Sequence, residues 1–283
     1  MKDVIVVGGG IIGTTVGKYF TDEGLNVLII DNNNPMAGTR PSGGHLRPSW
    51  FGDMEKDQYE PAMELIDKVW GMNEEEFIEY PKEKPIKIYR VDTDVVMAYD
   101  RTLGEVIDIN CKEKYPVVTY QVQDRKIKEK CKLLVVSAGI WTNSLIEGVP
   151  PVVGKQGVSF RVTGKLENRF VVGWAPYKQV VAHQQGENEI WVGDGSTILQ
   201  KNWKEATTLK CKERCLTYLD MKSPIVTTTL LGVRPYITKK VKAGDPCYLK
   251  QLNDRTWVAT GSGKSGTISA GWTLWRLINE SSL

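Results

Sequence analysis

The 283-residue chain has 41% hydrophobic residues, 25% charged residues and a net charge of +3, which is typical of a folded globular protein of one large or two interleaved domains. This charge does not by itself indicate a nucleic-acid partner. Five irregularly spaced cysteines argue against a secreted disulfide scaffold, and the two histidines show no zinc-site pattern. The N-terminal apolar run is short and broken by glycines, so we expect no signal peptide or membrane span, and a cytoplasmic location.

The chain begins with a β-strand, a helix and a second β-strand. Residues 3–7 (DVIVV) form a continuous apolar run that ends at glycine, which is typical of a buried parallel strand. Residues 11–23 have a helical pattern that ends at Gly24, and residues 26–30 (NVLII) form a second apolar run. This βαβ order predicts a parallel sheet of the doubly wound α/β class.

The middle of the chain predicts short elements. Residues 32–50 are rich in Asn, Pro, Gly and Ser, which is typical of a long loop. Residues 57–72 carry an apolar stripe and predict an amphipathic helix. Strands are predicted for residues 86–91, 95–99, 105–109, 117–122 and 133–137.

The second half of the chain predicts an antiparallel sheet and a return to the first fold. Alternating apolar and polar residues across 152–198 favour antiparallel strands. Further elements are predicted as helices at 203–219 and 266–279 and as strands at 224–234, 246–252 and 256–260. We therefore predict a Rossmann-type nucleotide-binding domain with an inserted, mainly antiparallel-sheet substrate domain.

A glycine fingerprint follows the first strand. Gly8, Gly10 and Gly13 match G-x-G-x-x-G at the start of a helix, and Asp31 ends the next strand. The glycines allow a tight turn, close approach of a pyrophosphate and close packing of the helix, while Asp31 can accept hydrogen bonds from a ribose hydroxyl. The helix N-terminus adds about half a positive charge. The pattern predicts a bound dinucleotide.

Residues 261–265 (GSGKS) resemble the end of a phosphate-binding P-loop, but the spacing excludes it. The motif G-x-x-x-x-G-K-[ST] requires glycine where this chain has Val258. Only residues 267–283 follow, which leaves no further strand to carry a magnesium-binding acid. This glycine-rich loop must therefore have another role.

Five stretches carry a family resemblance, and they span most of the chain. They are VIVVGGGIIGTTVGKYFTDEGLNVLIID, PSGGHLRPSW, VVSAGIWTNSL, LLGVRP and WVATGSGKSGTISAGWTLWRLI. Together and in this order they resemble the FAD-dependent D-amino-acid oxidase superfamily, in its glycine oxidase and sarcosine oxidase branch. The chain looks like a shortened member, with the deficit mainly in the inserted domain and between residues 50 and 86.

The resemblance implies FAD as the cofactor and a domain division. It predicts an FAD-binding domain of residues 1–50, 86–150 and 230–283, and a substrate domain of residues 51–85 and 151–229. It also implies that the last helix points its N-terminus at the flavin. The glycine-rich loop before that helix is therefore expected to lie on the flavin side of the site. The residues expected to contact FAD are Gly8, Gly10, Ile11, Ile12, Gly13, Asp31, Asn32, Ser42, Gly43, Gly44, His45, Arg47, Ala138, Gly139, Trp141, Gly261, Gly263, Lys264, Ser265, Gly266 and Thr267.

The resemblance further implies oxidation of a C–N bond, with hydride transfer from a small amine or amino acid to flavin N5 and hydrolysis of the resulting imine. Dioxygen is the expected acceptor and no metal is needed. Arg234 is expected to bind the substrate carboxylate, and Lys264 to contact substrate, flavin or oxygen. His45 is expected to stack on the flavin or stabilise its charge. Tyr177 and His183 are expected on the sheet that roofs the site.

Two other functions stay open at this point. Some members of the superfamily act on amino-acid groups carried by nucleic-acid bases, such as a carboxymethylaminomethyl group on tRNA uridine or glycine-type adducts on phage thymine, and basic residues 125–132 and 201–214 would suit such a partner. A catalytically degenerate flavin-binding subunit is the other alternative. The stretch around Cys247 resembles the region where sarcosine oxidase relatives attach flavin, but its spacing to Gly261 is shorter, so we expect a buried free thiol.

Overall fold

The structure is a computed structural model of the chain that describes residues 1–51, 53–79, 84–166, 170–175, 178–219, 224–238 and 244–281. The strands are β1 (Lys2–Val7), β2 (Val27–Asp31), β3 (His45–Leu46), β4 (Asn73–Glu79), β5 (Lys84–Arg90), β6 (Thr102–Leu103), β7 (Glu105–Asn110), β8 (Val117–Val122), β9 (Arg125–Val136), β10 (Val152–Thr163), β11 (Phe170–Ala175), β12 (Lys178–Gly186), β13 (Glu189–Gly193), β14 (Ile198–Leu199), β15 (Ile225–Ile237), β16 (Tyr248–Asn253) and β17 (Thr256–Thr260). The helices are α1 (Ile11–Asp22), α2 (Lys56–Trp70), α3 (Thr93–Ala98), α4 (Thr142–Leu145), α5 (Glu205–Leu219) and α6 (Gly266–Glu280).

The apolar runs from both ends of the chain meet in one central sheet of strand order β16-β17-β9-β1-β2-β6. β1 lies parallel to β2 and β9, and β17 lies parallel to β9. Side chains on one face of β1, including Val4 and Val6, pack with residues of α1, α2 and α6. Those on the other face, including Ile5 and Val7, pack with residues of β8. Because both faces are covered, β1 is apolar without alternation.

An antiparallel sheet forms the second layer of the molecule, with strand order β11-β12-β13-β10-β14. β15 pairs with β10 along the whole length of β10, from Val152↔Ile237 to Thr163↔Ile225. Helix α5 covers one face of this sheet, where Cys211 and Cys215 pack beside Phe160. The pairing of β15 with β10 brings Arg234 opposite Lys155, near the closing loop of the chain.

A small antiparallel sheet of order β3-β5-β4 connects the two layers. Its short strand β3 lies in the predicted loop of residues 32–50, and His45 of β3 pairs with Arg90 of β5. The Gly44 carbonyl accepts a hydrogen bond from Val91 N at 3.1 Å. This sheet therefore fixes the loop that the sequence places near the cofactor.

Most predicted elements are confirmed, and one is wrong. The predicted helices correspond to α1, α2, α5 and α6, and the parallel and antiparallel sheets are both present. Residues 95–99, predicted as a strand, instead belong largely to α3. The reason is the Asp92 side chain, which accepts a hydrogen bond from Asp94 N at 2.9 Å and caps the helix. The strand predicted at 133–137 is the end of the longer β9.

The division into an FAD-binding and a substrate domain stays a prediction. Two of its boundaries fall close to paired strands. β5 lies within the predicted segment 86–150 for most of its length, and it pairs with β3 and β4 rather than with the central sheet. The boundary between residues 229 and 230 falls inside β15, which continues to pair with β10 on both sides of it.

Candidate active site

The turn between β1 and α1 is built on glycines that tolerate no side chain. Gly8 has φ +101°, and a Cβ there would lie 2.5 Å from the Ser137 carbonyl oxygen. A Cβ at Gly13 would lie 1.9 Å from the Gly8 carbonyl oxygen. The turn, α1 and the end of β9 therefore pack backbone against backbone. No side chain of these glycines covers the N-terminus of α1.

Two side chains hold this turn in place. The Asp31 carboxylate accepts hydrogen bonds from Gly9 N and Asn33 N, both at 2.7 Å. The Thr39 hydroxyl accepts one from Ile11 N at 2.9 Å, which satisfies the first backbone donor of α1. Asp31 therefore orders the loop that follows β2 as well as the glycine turn.

The closing glycine-rich loop lies beside the opening turn. Gly263 N donates to the Pro235 carbonyl at 2.8 Å, which ties the loop to β15. Gly261 and Gly263 have φ values of +72° and +53°. A Cβ at Gly266, where α6 begins, would lie 3.5 Å from the Ile11 side chain. The N-termini of α1 and α6 thus meet across one cleft.

A cavity of about 480 Å³ occupies this cleft. It is lined by residues of the opening turn, of the stretch after β9 and of the closing loop. The predicted residues among them are Gly8, Gly10, Ile11, Ile12, Asp31, Asn32, Ser42, Ala138, Gly139, Trp141, Arg234, Gly263, Lys264, Gly266 and Thr267. Three distant segments of sequence thus converge on a single elongated site.

A second cavity of about 570 Å³ adjoins the first, because Ser42, Arg234, Lys264 and Thr267 line both. Its walls come from the β3 loop, the antiparallel sheet and the start of α6. The predicted residues that line it are Ser42, Gly43, His45, Arg234, Lys264, Ser265 and Thr267. The pair of cavities suits a cofactor beside a substrate.

The guanidinium of Arg234 lies at the junction of the two cavities. Its Nη1 is buried and has no hydrogen-bond partner among the described residues. Burial lowers the pKa of Arg234, against the opposing effects of Tyr236 and Asp194. A buried guanidinium nitrogen without a partner is costly, and an anionic ligand at this position would offset that cost.

His45 is buried in the wall of the second cavity and bonded to a second histidine. Its Nε2 lies 2.9 Å from Nδ1 of His183, and its ring packs edge-on against Trp191 at 5.2 Å. Burial, with the nearby His183 and Arg90, holds the pKa of His45 well below its usual range. The neutral form of the ring is therefore favoured, and contact of His45 with the flavin stays a prediction.

Several predicted residues do not line either cavity. Gly13, Gly44 and Gly261 instead allow close packing, and a Cβ at Gly44 would lie 1.9 Å from the Val91 carbonyl oxygen. Arg47 is buried. His183 is buried behind His45 rather than in the wall, and Tyr177 lies outside the described residues.

The sequence analysis missed several residues of the site. Thr39 lines the first cavity, and Trp191 and Asp194 line the second. The buried Asp194 carboxylate accepts from Ser196 N and pairs with Arg214, with each distance 2.9 Å. The G-D-G turn after β13 was the available signal for Asp194, whereas nothing in the sequence separates Trp191 from a core residue.

Cys247, which the sequence analysis considered as a site of flavin attachment, lies in a packed region. Cys247 is fully buried, burial raises the pKa of its thiol to about 12, and its sulfur lies 3.8 Å from the Thr273 hydroxyl oxygen.

Among the described residues, no three His, Cys, Asp or Glu side chains cluster as a metal ion would require. No helix in these ranges is long and apolar enough to cross a membrane.

Comparison with known proteins agrees with this geometry. Residues 3–98 match the family DAO, described as FAD dependent oxidoreductase. The fold is similar to that of glycine oxidase from Geobacillus kaustophilus, with a TM-score of 0.71, 14% identity, and coverage of 100% of this chain and 95% of that chain. None of the curated proteins matches the sequence.

Two other solved structures share the fold. Iminodiacetate oxidase from Chelativorans sp. BNC1 gives a TM-score of 0.68 at 14% identity, with 98% of this chain and 95% of that chain covered. L-proline dehydrogenase from P. horikoshii gives a TM-score of 0.70 at 14% identity, with 99% and 93% covered. At this level of identity, the likeness concerns the fold.

Proposed function

Because residues 3–98 match the DAO family, described as FAD dependent oxidoreductase, we propose that this protein oxidises the C–N bond of an amino acid or secondary amine. The observation that carries the proposal is the buried Nη1 of Arg234, which lacks a hydrogen-bond partner among the described residues where the two cavities join. A substrate carboxylate would satisfy it. Glycine oxidase and iminodiacetate oxidase, which share the fold, are named for substrates that carry a carboxylate.

The geometry of the first cavity supports FAD as its ligand. The backbone at Gly8 and Gly10 leaves the N-terminus of α1 open to a pyrophosphate, and any side chain at Gly8 would collide with Ser137. Asp31 and Asn32 line the cavity at the end of β2, where a ribose would bind. Gly266 and Thr267 at the start of α6 would face the flavin end.

The residues of the second cavity would bind and orient the substrate. Arg234 would hold the carboxylate through two parallel hydrogen bonds, which fixes the α-carbon relative to the first cavity. FAD, when bound, supplies the acceptor for the hydride that leaves this carbon. The walls formed by Phe51, Trp191 and Val181 exclude water while the C–H bond is held in place.

Lys264 would add a second positive charge at the same junction. It lines both cavities, and a Cβ at Gly195 would lie 3.8 Å from its Nζ. We propose that its ammonium attracts the anionic substrate, or stabilises the negative charge that would develop as dioxygen is reduced. The imine product would be released and hydrolysed by water.

The test is anaerobic reduction of the FAD-loaded protein by glycine, N-methylglycine, D-alanine and L-proline, followed by loss of the yellow absorption. We expect Arg234→Gln to raise KM for the productive amino acid by about 100-fold, because a charge-assisted pair is worth about 3 kcal/mol. FAD binding should change little. Arg125→Gln, at an exposed arginine of β9, is the matched control and should behave as the parent.

Each other outcome has a defined meaning. Equal KM values for the parent and Arg234→Gln would refute the carboxylate contact. Reduction only by a glycine-modified oligonucleotide would favour the nucleic-acid-borne substrate. Failure of every amine with a fully loaded protein would favour the degenerate flavin-binding subunit. A protein that stays colourless with FAD would remove the basis of all three.

A further inference from the structure

Both backbone polar groups of Gly9, in the middle of the glycine turn, are held by side chains. The Asp31 carboxylate accepts a hydrogen bond from Gly9 N at 2.7 Å. The Gly9 carbonyl oxygen accepts one from Arg101 Nη1 at 2.6 Å and one from the Thr14 hydroxyl at 2.9 Å. The motif G-x-G-x-x-G asks nothing of position 9, so the motif alone does not account for these bonds.

The guanidinium of Arg101 is anchored before it reaches the turn. Arg101 follows α3, and its Nε donates to the Tyr99 carbonyl at 3.2 Å, while its Nη2 donates to the Met97 carbonyl. A guanidinium is planar and its N–H donors have fixed directions relative to one another. The two bonds at the end of α3 therefore help to aim Nη1 at the Gly9 carbonyl.

Glycine at position 9 makes room for this arginine. A Cβ there would lie 2.8 Å from Nη1 and 3.0 Å from Cδ of Arg101, and 3.0 Å from Cβ of Asp31. Gly9 does not belong to the glycines with positive φ, so its backbone conformation does not require glycine. The space that Arg101 and Asp31 occupy accounts for the glycine instead.

The position of the Gly9 carbonyl sets the direction of the next backbone N–H. A trans peptide is planar, and its C=O and N–H point to opposite sides. The N–H of Gly10 therefore points away from Arg101 and Thr14. Neither of these two residues belongs to the described lining of the cavities, whereas Gly10 lines the first cavity.

The same peptide is easy to rotate, because a glycine stands on each side of it and neither has a side chain to oppose the rotation. Rotation would exchange the sides of the Gly9 carbonyl and the Gly10 N–H. A carbonyl oxygen carries partial negative charge and repels a phosphate, whereas an N–H attracts one. A turn of this composition therefore needs an external contact to keep the orientation that favours phosphate.

We infer that Arg101 and Thr14 are positioning residues for the FAD pyrophosphate: by holding the Gly9 carbonyl, they direct the Gly10 N–H to a phosphate oxygen in the first cavity. Arg101 acts through the backbone and does not touch the cofactor. The inference goes beyond the proposed function, since it concerns how FAD is held and not which bond is oxidised.

ADP and adenosine measure the contribution of the pyrophosphate, because they share the adenosine end of FAD and differ only in the two phosphates. Each is used to displace FAD from the loaded full chain, and displacement is followed by the recovery of flavin fluorescence. In the parent we expect ADP to bind more tightly than adenosine. In Arg101→Met we expect this ratio of affinities to fall about tenfold, since one hydrogen bond to a charged group is lost. Adenosine should bind as it does to the parent.

Arg255→Met is the matched control. Arg255 Nη1 also donates to a backbone carbonyl, that of Lys132 at 3.2 Å, and Arg255 lies outside the described lining of both cavities. This variant should keep the ratio of the parent. An unchanged ratio in Arg101→Met, or equal losses of affinity for ADP and adenosine, would overturn the inference. So would a parent that binds ADP no more tightly than adenosine.

Thr14 tests the same carbonyl without a change at the end of α3. Thr14→Val removes the hydroxyl donor at nearly constant volume and should lower the ratio, whereas Thr14→Ser keeps the donor and should restore most of it. If Arg101→Met does not fold, this pair decides, because equal ratios in Thr14→Val and the parent would then overturn the inference.

The ³¹P spectrum of the FAD-loaded protein gives a second measurement. We expect the pyrophosphate signals of Arg101→Met to lie closer to those of free FAD than the signals of the parent do. Superimposable spectra of parent and variant would overturn the inference. Neither measurement uses turnover, so a loaded parent that no amine reduces would refute the proposed function and leave these results unchanged.

Discussion

Gly13 shows how one residue sets the distance between a helix and the turn before it. The helix α1 passes so close to that turn that a Cβ at position 13 would lie 1.9 Å from the Gly8 carbonyl oxygen and 2.5 Å from Ser137 Oγ. The contact at Gly8 is with backbone, which cannot rotate away as a side chain can. The residue therefore determines both packing and the opening of the N-terminus of α1 towards the first cavity.

We predict that Gly13→Ala lowers the free energy of unfolding by at least about 1–3 kcal/mol, which is the usual cost of overpacking a core position. We also predict that it weakens FAD binding. Urea unfolding of the apoprotein and FAD titration measure the two effects separately. Gly186→Ala is the matched control, because a Cβ there meets no atom within 4 Å and the position is exposed. Wild-type stability and affinity in Gly13→Ala would contradict the packing argument.

At the scale of elements, α3 shows how a cap can decide between helix and strand. The run D-V-V-M-A contains adjacent β-branched residues, which favour a strand, yet residues 93–98 are helical. The Asp92 carboxylate accepts from Asp94 N, and Thr93 donates to the Ser42 carbonyl at 3.0 Å. Both bonds are present in the helical arrangement, and the second one also anchors the loop that carries Gly43.

We predict that Asp92→Ala lowers the free energy of unfolding by about 1 kcal/mol, since an N-cap acceptor is lost. Asp92→Asn should restore most of it, because the asparagine oxygen caps a helix equally well. Urea-induced unfolding followed by circular dichroism makes the comparison. If Asp92→Ala and Asp92→Asn destabilise the protein equally, then the loss belongs to the charge of Asp92 and not to its cap.

At the scale of the whole molecule, the second cavity forms where three layers meet. His45 comes from the small sheet, Arg234 from the antiparallel sheet, and Thr267 from the helix that follows the central sheet. His183, also of the antiparallel sheet, lies behind His45. Burial between these layers lowers the pKa of both histidines, and Arg90 and Arg161 lower that of His183 further against the opposing effects of Gln185 and Asp92. These two histidines therefore bind protons less readily in the folded protein than in the unfolded chain.

We predict that the protein loses stability as the pH falls below the unfolded histidine pKa of about 6.5. Between that value and the folded pKa of about 3, an unfolded His183 is protonated and a folded one is not, so unfolding takes up a proton. From about pH 7 to about pH 5, His183 alone should reduce the free energy of unfolding by about 2 kcal/mol. Urea titrations at both pH values, with His183→Asn as the control that lacks this term, provide the measurement. An equal loss in parent and variant would contradict the prediction.

Local patterns predicted the elements that are continuous in sequence. The apolar run of β1, the glycines at positions 8, 10 and 13, and the amphipathic helices α2 and α6 each depend on neighbours a few residues away, so a single sequence is enough to recognise them. The α3 segment was missed because its cap competes with its β-branched residues. The family resemblance extended these predictions to Arg234. From sequence alone, a single arginine that binds substrate cannot be distinguished from one that forms a structural ion pair.

By itself, the sequence determined most of the segments that become strands and helices, and that a glycine turn follows the first strand, because these choices are made by nearby residues. Tertiary structure alone decided that His45 meets His183, that Nη1 of Arg234 is buried without a partner among the described residues, and that two cavities share a wall. Each of these depends on residues far apart in the chain being brought into contact and desolvated together. No local pattern encodes that burial, since it arises only when the three sheets pack.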